Sequence, residues 1–164
     1  MNPNKDDRIK VVKVPFHFSF HYANAFEDEN TGDVYFDAVC FEESPVKCPI
    51  IEPFWKMDWN IVPKRRYTRF AISPVFETTI PAQPPITIST RGPEFPQIPK
   101  ALSGLKHRYV YSVGSHCEFD LEQGPPGAIL KLDCDDPRNN EAYVLEPYQF
   151  AGEPIFVPKV SHIS

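Results

Sequence analysis

Phe18-Ser-Phe-His-Tyr-Ala-Asn-Ala-Phe-Glu-Asp28 is the stretch on which the fold of this chain turns. Together with the residues before it, it alternates. The even positions Val12, Val14, Phe16, Phe18, Phe20 and Tyr22 are apolar, while the odd positions include Lys13, His17, Ser19 and His21. Successive side chains of a strand point to opposite faces, so the pattern predicts a strand over 11–26 with an apolar even face and a polar odd face. His17 and His21 share the polar face. Four residues of regular strand hold them roughly 13 Å apart, whereas two ligands about 2.1 Å from one ion lie only about 3 Å from each other. One ion could take one of them, not both, unless the strand bulges. A lone strand histidine is more often solvated or hydrogen-bonded than metal-bound, and a histidine facing the axis of a closed sheet structure is the alternative. The residues alone leave both open.

Outward from this stretch the same period continues. Asp28-Glu-Asn-Thr-Gly-Asp33 is a turn-forming cluster that closes a hairpin, and Val34–Phe41 is the return strand, apolar on both faces. Residues 42–65 form a proline-punctuated connection holding Trp55 and Trp59, with a short helix expected around 53–60. Strand-like runs follow at Tyr67–Ile72, Val75–Ile80, Ile86–Thr90, Arg108–Val113, Ala128–Leu132, Ala142–Leu145 and Ile155–Val157, with a loop centred on Glu94-Phe-Pro-Gln97. Short strands at this spacing with almost no helical periodicity predict an all-β meander. Cys134–Glu141 is a polar hairpin tip, its acidic residues most simply a solvated turn.

Composition narrows the class. Aromatics at 13% and hydrophobics at 41% of 164 residues support a real core rather than disorder. Nineteen prolines against seven glycines break helices and confine strands to short runs. A net charge of −5 gives no basic footprint, which argues against nucleic acid as a partner. Cys40, Cys48, Cys117 and Cys134 form no CxxC pair, so free thiols in a reducing compartment are the simpler reading. The polar opening, residues 1–10, has no signal-peptide character, and no apolar run approaches the roughly 20 residues a spanning helix needs. Cytoplasmic and plastid locations both stay open.

Five segments, in order, resemble those of the carotenoid oxygenase family. Phe20-His-Tyr-Ala-Asn-Ala-Phe-Glu27 is similar to its FHxxNAYE(D/E) segment, and Lys64-Arg-Arg-Tyr-Thr-Arg-Phe70 to its basic-aromatic strand start. Glu94-Phe-Pro-Gln-Ile98 is similar to FEFPxIN, although Pro93 stands where an aromatic or small residue is usual. Lys106-His-Arg-Tyr-Val-Tyr-Ser-Val-Gly114 resembles the RYxYGxG strand, and Gly152-Glu-Pro-Ile-Phe-Val-Pro158 the GEPxFVPR element.

The resemblance implies an all-β fold, part of a seven-bladed β-propeller, over residues 11–164. It implies the family's chemistry: oxidative cleavage of a conjugated C=C bond of a carotenoid or apocarotenoid by O2 at non-haem Fe(II). In that family four histidines hold the iron, and three glutamates hydrogen-bond to ligand imidazoles. By motif position His21 is a metal ligand, and Glu94 and Glu153 are two of those glutamates. A metal-bound imidazole needs its other ring N–H held, and a carboxylate does this best. His107, His116 and His162 match no ligand position. With one of four ligands the chain reads as an internal portion of such a dioxygenase, expected to be inactive alone. The polyene and O2 are the implied partners, with peripheral membrane contact in full-length members. Open propeller edges favour self-association. The alternative is a catalytically inactive β-domain that binds a partner or an apolar ligand.

Overall fold

The computed structural model describes residues 12–43, 63–73, 84–115 and 126–159. The expected helix around 53–60 with its tryptophans, the run Val75–Ile80, Cys48, Cys117, His116 and His162 lie outside these residues, as does the lead-in 1–10. The described residues hold eight strands, two short 3-10 turns and no α-helix.

Sheet A is β1 (Tyr22–Glu27), β2 (Val34–Phe41), β3 (Arg65–Ile72) and β4 (Ile86–Ser89), and sheet B is β5 (Glu94–Gln97), β6 (Tyr109–Gly114), β7 (Ala128–Asp133) and β8 (Glu141–Val144). Each sheet is an antiparallel meander in chain order. Two consecutive four-stranded meanders are two blades of a propeller, the architecture expected from the resemblance. β1 approaches β5 at one side of their interface and β4 approaches β7 at the other.

The core lies between the sheets. Val39, Phe41, Tyr67 and Ile88 of sheet A meet Val110, Ala128, Leu130 and Leu132 of sheet B, with Cys134 beside them. Burial pushes the Cys134 thiol up to about 12, so it packs as a small hydrophobe. A Cβ on Gly114 would stand 2.5 Å from Leu130 Cδ1 and 2.7 Å from the Arg91 carbonyl oxygen. Only glycine lets β6 run this close to the link between the two sheets.

The β1–β2 hairpin closes as its turn residues dictate. Asp28 accepts from the backbone N–H groups of Asn30 and Thr31 through Oδ1, and Gly32 takes a positive φ of 70°. The strand expected over 11–26 is shorter. It begins at Tyr22, and its ladder is shifted between Tyr22 and Asn24 by a bulge. Upstream, one bridge joins Phe18 to Phe41, and Phe16, Phe20 and Tyr22 stand exposed. The bulge breaks the period of two, so the expected apolar even face does not become a buried one.

Glu94–Gln97, expected as a loop, is instead the strand β5. Its signal is weak for a physical reason. It is four residues long, it is bulged, and Phe95 adopts φ 51°. Pro96 is tolerated because β5 pairs on one side only, with β6. Residues 145–159 form no strand, so the run expected at Ile155–Val157 is not one, and its side chains are exposed.

A buried polar network ties the sheets together beside the core. Arg69 of β3 donates to both carboxylate oxygens of Asp37 on β2, each at 2.8 Å. His107 donates from Nε2 to Asp37 at 2.9 Å and accepts at Nδ1 from the Asn24 amide at 3.0 Å. Asn24 also donates to the Leu105 carbonyl and accepts from the Gly104 N–H, so β1 clamps the turn that leads into β6.

Two carboxyls give this fold a definite acid limit. Burial alone would raise the Asp37 carboxyl, yet bonds from Arg69 and His107 hold it below its ordinary value. The Arg108 guanidinium, with the backbone N–H groups of Asp135 and Asp136, holds Asp133 far below the carboxylate range. A depressed folded pKa means that the stabilisation is complete above the ordinary value of about 4 and lost as pH falls through the folded value. Stability is therefore expected to fall progressively below about pH 4, and Asp133→Asn should make that decline shallower in a denaturant series. Equal slopes for the two proteins would count against the assignment.

Candidate functional site

His21 stands one residue before β1, where three contacts fix its backbone and surroundings. Its carbonyl accepts from the Val39 N–H at 3.0 Å and from the Ser19 hydroxyl at 3.0 Å. Phe18 and Phe20 pack edge-on against Phe41 just beneath. The ring itself reaches across to sheet B, where Nδ1 lies 2.8 Å from Oε2 of Glu94.

Glu94 is the first residue of β5 and is buried. Its carboxylate is held at both oxygens, Oε2 by His21 and Oε1 by Arg65 Nη1 at 3.5 Å. Arg65 opens β3, opposite Phe41, and its guanidinium lies over that ring. Phe95 packs on the His21 ring with centroids 5.1 Å apart. Its left-handed backbone costs about 1–3 kcal/mol, and the turn that it makes aims Glu94 and Phe95 together at the imidazole.

These contacts set the tautomer and direction of the His21 ring. With a carboxylate on Nδ1 the ring carries its proton there, and Nε2 presents a lone pair. Nε2 has no hydrogen-bond partner among the described residues, and the side chain is 39% exposed, so the lone pair is accessible. An imidazole held in this way can offer Nε2 as a single donor, to a metal ion or to a proton.

The other residues singled out from sequence separate from this pair. His17 is turned away: Nδ1 lies 3.0 Å from the Pro15 carbonyl oxygen, Nε2 lies 3.3 Å from the Tyr22 hydroxyl, and the ring packs on Phe70. Glu153 is exposed and accepts from the Gln97 amide, not from His21. Gln97 is three residues beyond Glu94 on β5, so Glu153 lies near the strand that carries the site without joining it.

Asp37, His107 and Cys134 are a second cluster, with potential ligand atoms within 4.8 Å of one another, all buried. Arg69 already supplies the cation there by gripping both Asp37 oxygens, and Asn24 occupies His107 Nδ1. It is a structural network. Sequence reasoning missed it because its members are unremarkable singly; Asn24 and His107 do lie inside two of the segments that carried the resemblance. Arg65 was likewise inside such a segment with no role attached.

Known proteins bear on this arrangement. A 31% identity over 157 residues relates the chain to an apocarotenoid-15,15'-oxygenase of Synechocystis sp. (strain ATCC 27184 / PCC 6803 / Kazusa), covering 96% of this chain and 30% of that protein. A carotenoid 9,10(9',10')-cleavage dioxygenase 1 of Pisum sativum is 29% identical over 171 residues, with coverage of 95% and 29%. Among solved structures, cobalt-substituted Synechocystis ACO superposes with a TM-score of 0.68 at 28% identity, over 86% of this chain and 27% of that one. An ACO/RPE65 chimera superposes with a TM-score of 0.72 at 28% identity, over 90% and 29%. The chain thus spans under a third of the length of these relatives. Its two blades are part of their propeller, and the Synechocystis ACO structure is that of a cobalt-substituted protein. The family model described as retinal pigment epithelial membrane protein matches residues 2–163, so the chain belongs to this family, the carotenoid oxygenases.

Proposed function

We propose that this chain supplies one ligand position of a non-haem Fe(II) centre that cleaves a conjugated C=C bond of a carotenoid or apocarotenoid with O2. The observation that carries the reading is the 2.8 Å contact between His21 Nδ1 and the buried Glu94 carboxylate. In this reading His21 is a ligand through Nε2, and Glu94 fixes its tautomer and ring plane. Glu153 is hydrogen-bonded to Gln97, on the same strand as Glu94, and takes no part in holding His21. When bound, Fe(II) supplies the site at which O2 is activated. The chain's residues hold the imidazole proton at Nδ1 and keep an apolar wall, Phe20 and Phe95, beside the ring.

A single imidazole cannot bind iron tightly, because affinity in a multi-histidine site comes from ligands positioned together. This chain is therefore expected to take up Fe(II) weakly and to cleave no carotenoid, while a version extended to the length of its relatives binds iron tightly and cleaves the carotenoid. Iron titration of the two proteins, followed by assay with a carotenoid under O2, checks this. Tight stoichiometric iron on the short chain would refute it. A non-catalytic binding domain is favoured by the exposed apolar residues Tyr143, Val144, Tyr148 and Ile155. That reading predicts iron uptake by neither protein.

A further inference from the structure

We infer that Arg65 is a positioning residue for the candidate centre: it locks the Glu94 carboxylate so that one oxygen alone faces His21. The inference rests on the reading of His21 as a ligand. A glutamate carboxyl turns about a broad terminal torsion, so a carboxylate with one partner can swing or exchange its oxygens. Here each oxygen has its own partner, Oε2 bonded to His21 Nδ1 at 2.8 Å and Oε1 paired with Arg65 Nη1 at 3.5 Å. The Arg65 and Glu94 side chains are only 17% and 10% exposed, so solvent screens the pair little.

The guanidinium is itself located by its surroundings. It lies over the Phe41 ring at 6.0 Å. The guanidinium also packs against the turn at Gly92, whose φ of 56° suits glycine and where a Cβ would stand 3.4 Å from Nη2, at ordinary contact distance. Both residues that grip Glu94 belong to sheet A or its lead-in, whereas Glu94 opens sheet B. Arg65 therefore couples the seating of one blade on the next to the direction of a metal-ligand imidazole. Its charge stands opposite a carboxylate rather than toward a ligand, which separates this role from substrate binding.

The test is the solvent-exchange rate of the His21 Nδ1–H in the 15N-histidine-labelled chain, the signal assigned by its loss in His21→Ala. The unsubstituted chain should show a protected Nδ1–H. Arg65→Met keeps the aliphatic stem against Phe41 and should speed that exchange, since a carboxylate freed at Oε1 holds the Nδ1 proton less firmly. Arg65→Lys restores a positive charge and should recover most of the protection. In the extended protein, Arg65→Met should lower Fe(II) affinity by less than the roughly 10–100-fold that losing a ligand's own hydrogen-bond partner costs, because Arg65 acts on His21 only through Glu94. A merely structural role would lower the melting temperature and leave the Nδ1–H rate unchanged, and that result overturns the inference. Where Arg65→Met does not fold, Arg65→Gln takes its place, and faster exchange supports the inference whereas an unchanged rate overturns it. An unprotected Nδ1–H in the unsubstituted chain would instead overturn the reading of the His21–Glu94 pair itself.

Discussion

Replacing Arg69 with methionine is expected to cost about 3–5 kcal/mol of folding stability, the usual effect of removing one partner from a buried ion pair. Asp37 is fully buried and the Arg69 side chain is 8% exposed. Two parallel N–H···O bonds at 2.8 Å neutralise the carboxylate, and His107 supplies one more at 2.9 Å. Without the guanidinium the anion keeps only the histidine. Water cannot reach it, so it must be held uncompensated or take up a proton. The whole stability of a domain is about 5–15 kcal/mol, so one such loss is a large part of it. Urea denaturation of the single variant and of Arg69→Met/Asp37→Asn measures the effect. The double variant removes the stranded charge and should recover part of the loss, which is the sign of a pair and not of packing alone. A single-variant cost under about 1 kcal/mol would contradict the reading.

In a protein extended to hold the remaining ligands, His21→Ala should reduce metal-dependent carotenoid cleavage by on the order of 100-fold or more, while His17→Ala leaves most of it. Losing an outer hydrogen-bond partner of a metal ligand costs about 10–100-fold, and losing the ligand itself sets a larger effect. The two histidines are four residues apart and were equal in the alternation of the sequence. They differ in what their ring nitrogens touch. His21 has a carboxylate at Nδ1, with Nε2 accessible, whereas both nitrogens of His17 lie against local oxygen atoms. Iron content should follow activity in both variants. Equal losses for His17→Ala and His21→Ala would show that the first acts on folding or that the second is not a ligand.

Much of the architecture was legible in advance, because a strand buried on one face must repeat every two residues and turns must use residues that tolerate their backbone. The hairpin from Tyr22 to Phe41 follows from Asp28, Gly32 and the apolar return strand. The later strands β6, β7 and β8 fall within a residue or two of their apolar runs. β5 was not legible, since a four-residue bulged strand with a proline and a left-handed phenylalanine has no period to detect. Nor was the lead-in over 12–21, which forms no strand beyond one bridge at Phe18 although its alternation looks regular in one dimension.

The sequence by itself determined the all-β class, the turn chemistry and, through five ordered segments, the family and the candidate residues His21, Glu94 and Glu153. Tertiary structure alone decided which of these meet. His21 and Glu94 are 73 residues apart and touch, while Glu153 turns to Gln97. It also decided that Arg65 completes the pair, and that Asn24 and His107, 83 residues apart, belong to one buried network. The physical reason is the range of the two kinds of information. Strand period and turn preference act over a few neighbouring residues, whereas a hydrogen bond between blades exists only once both sheets have packed.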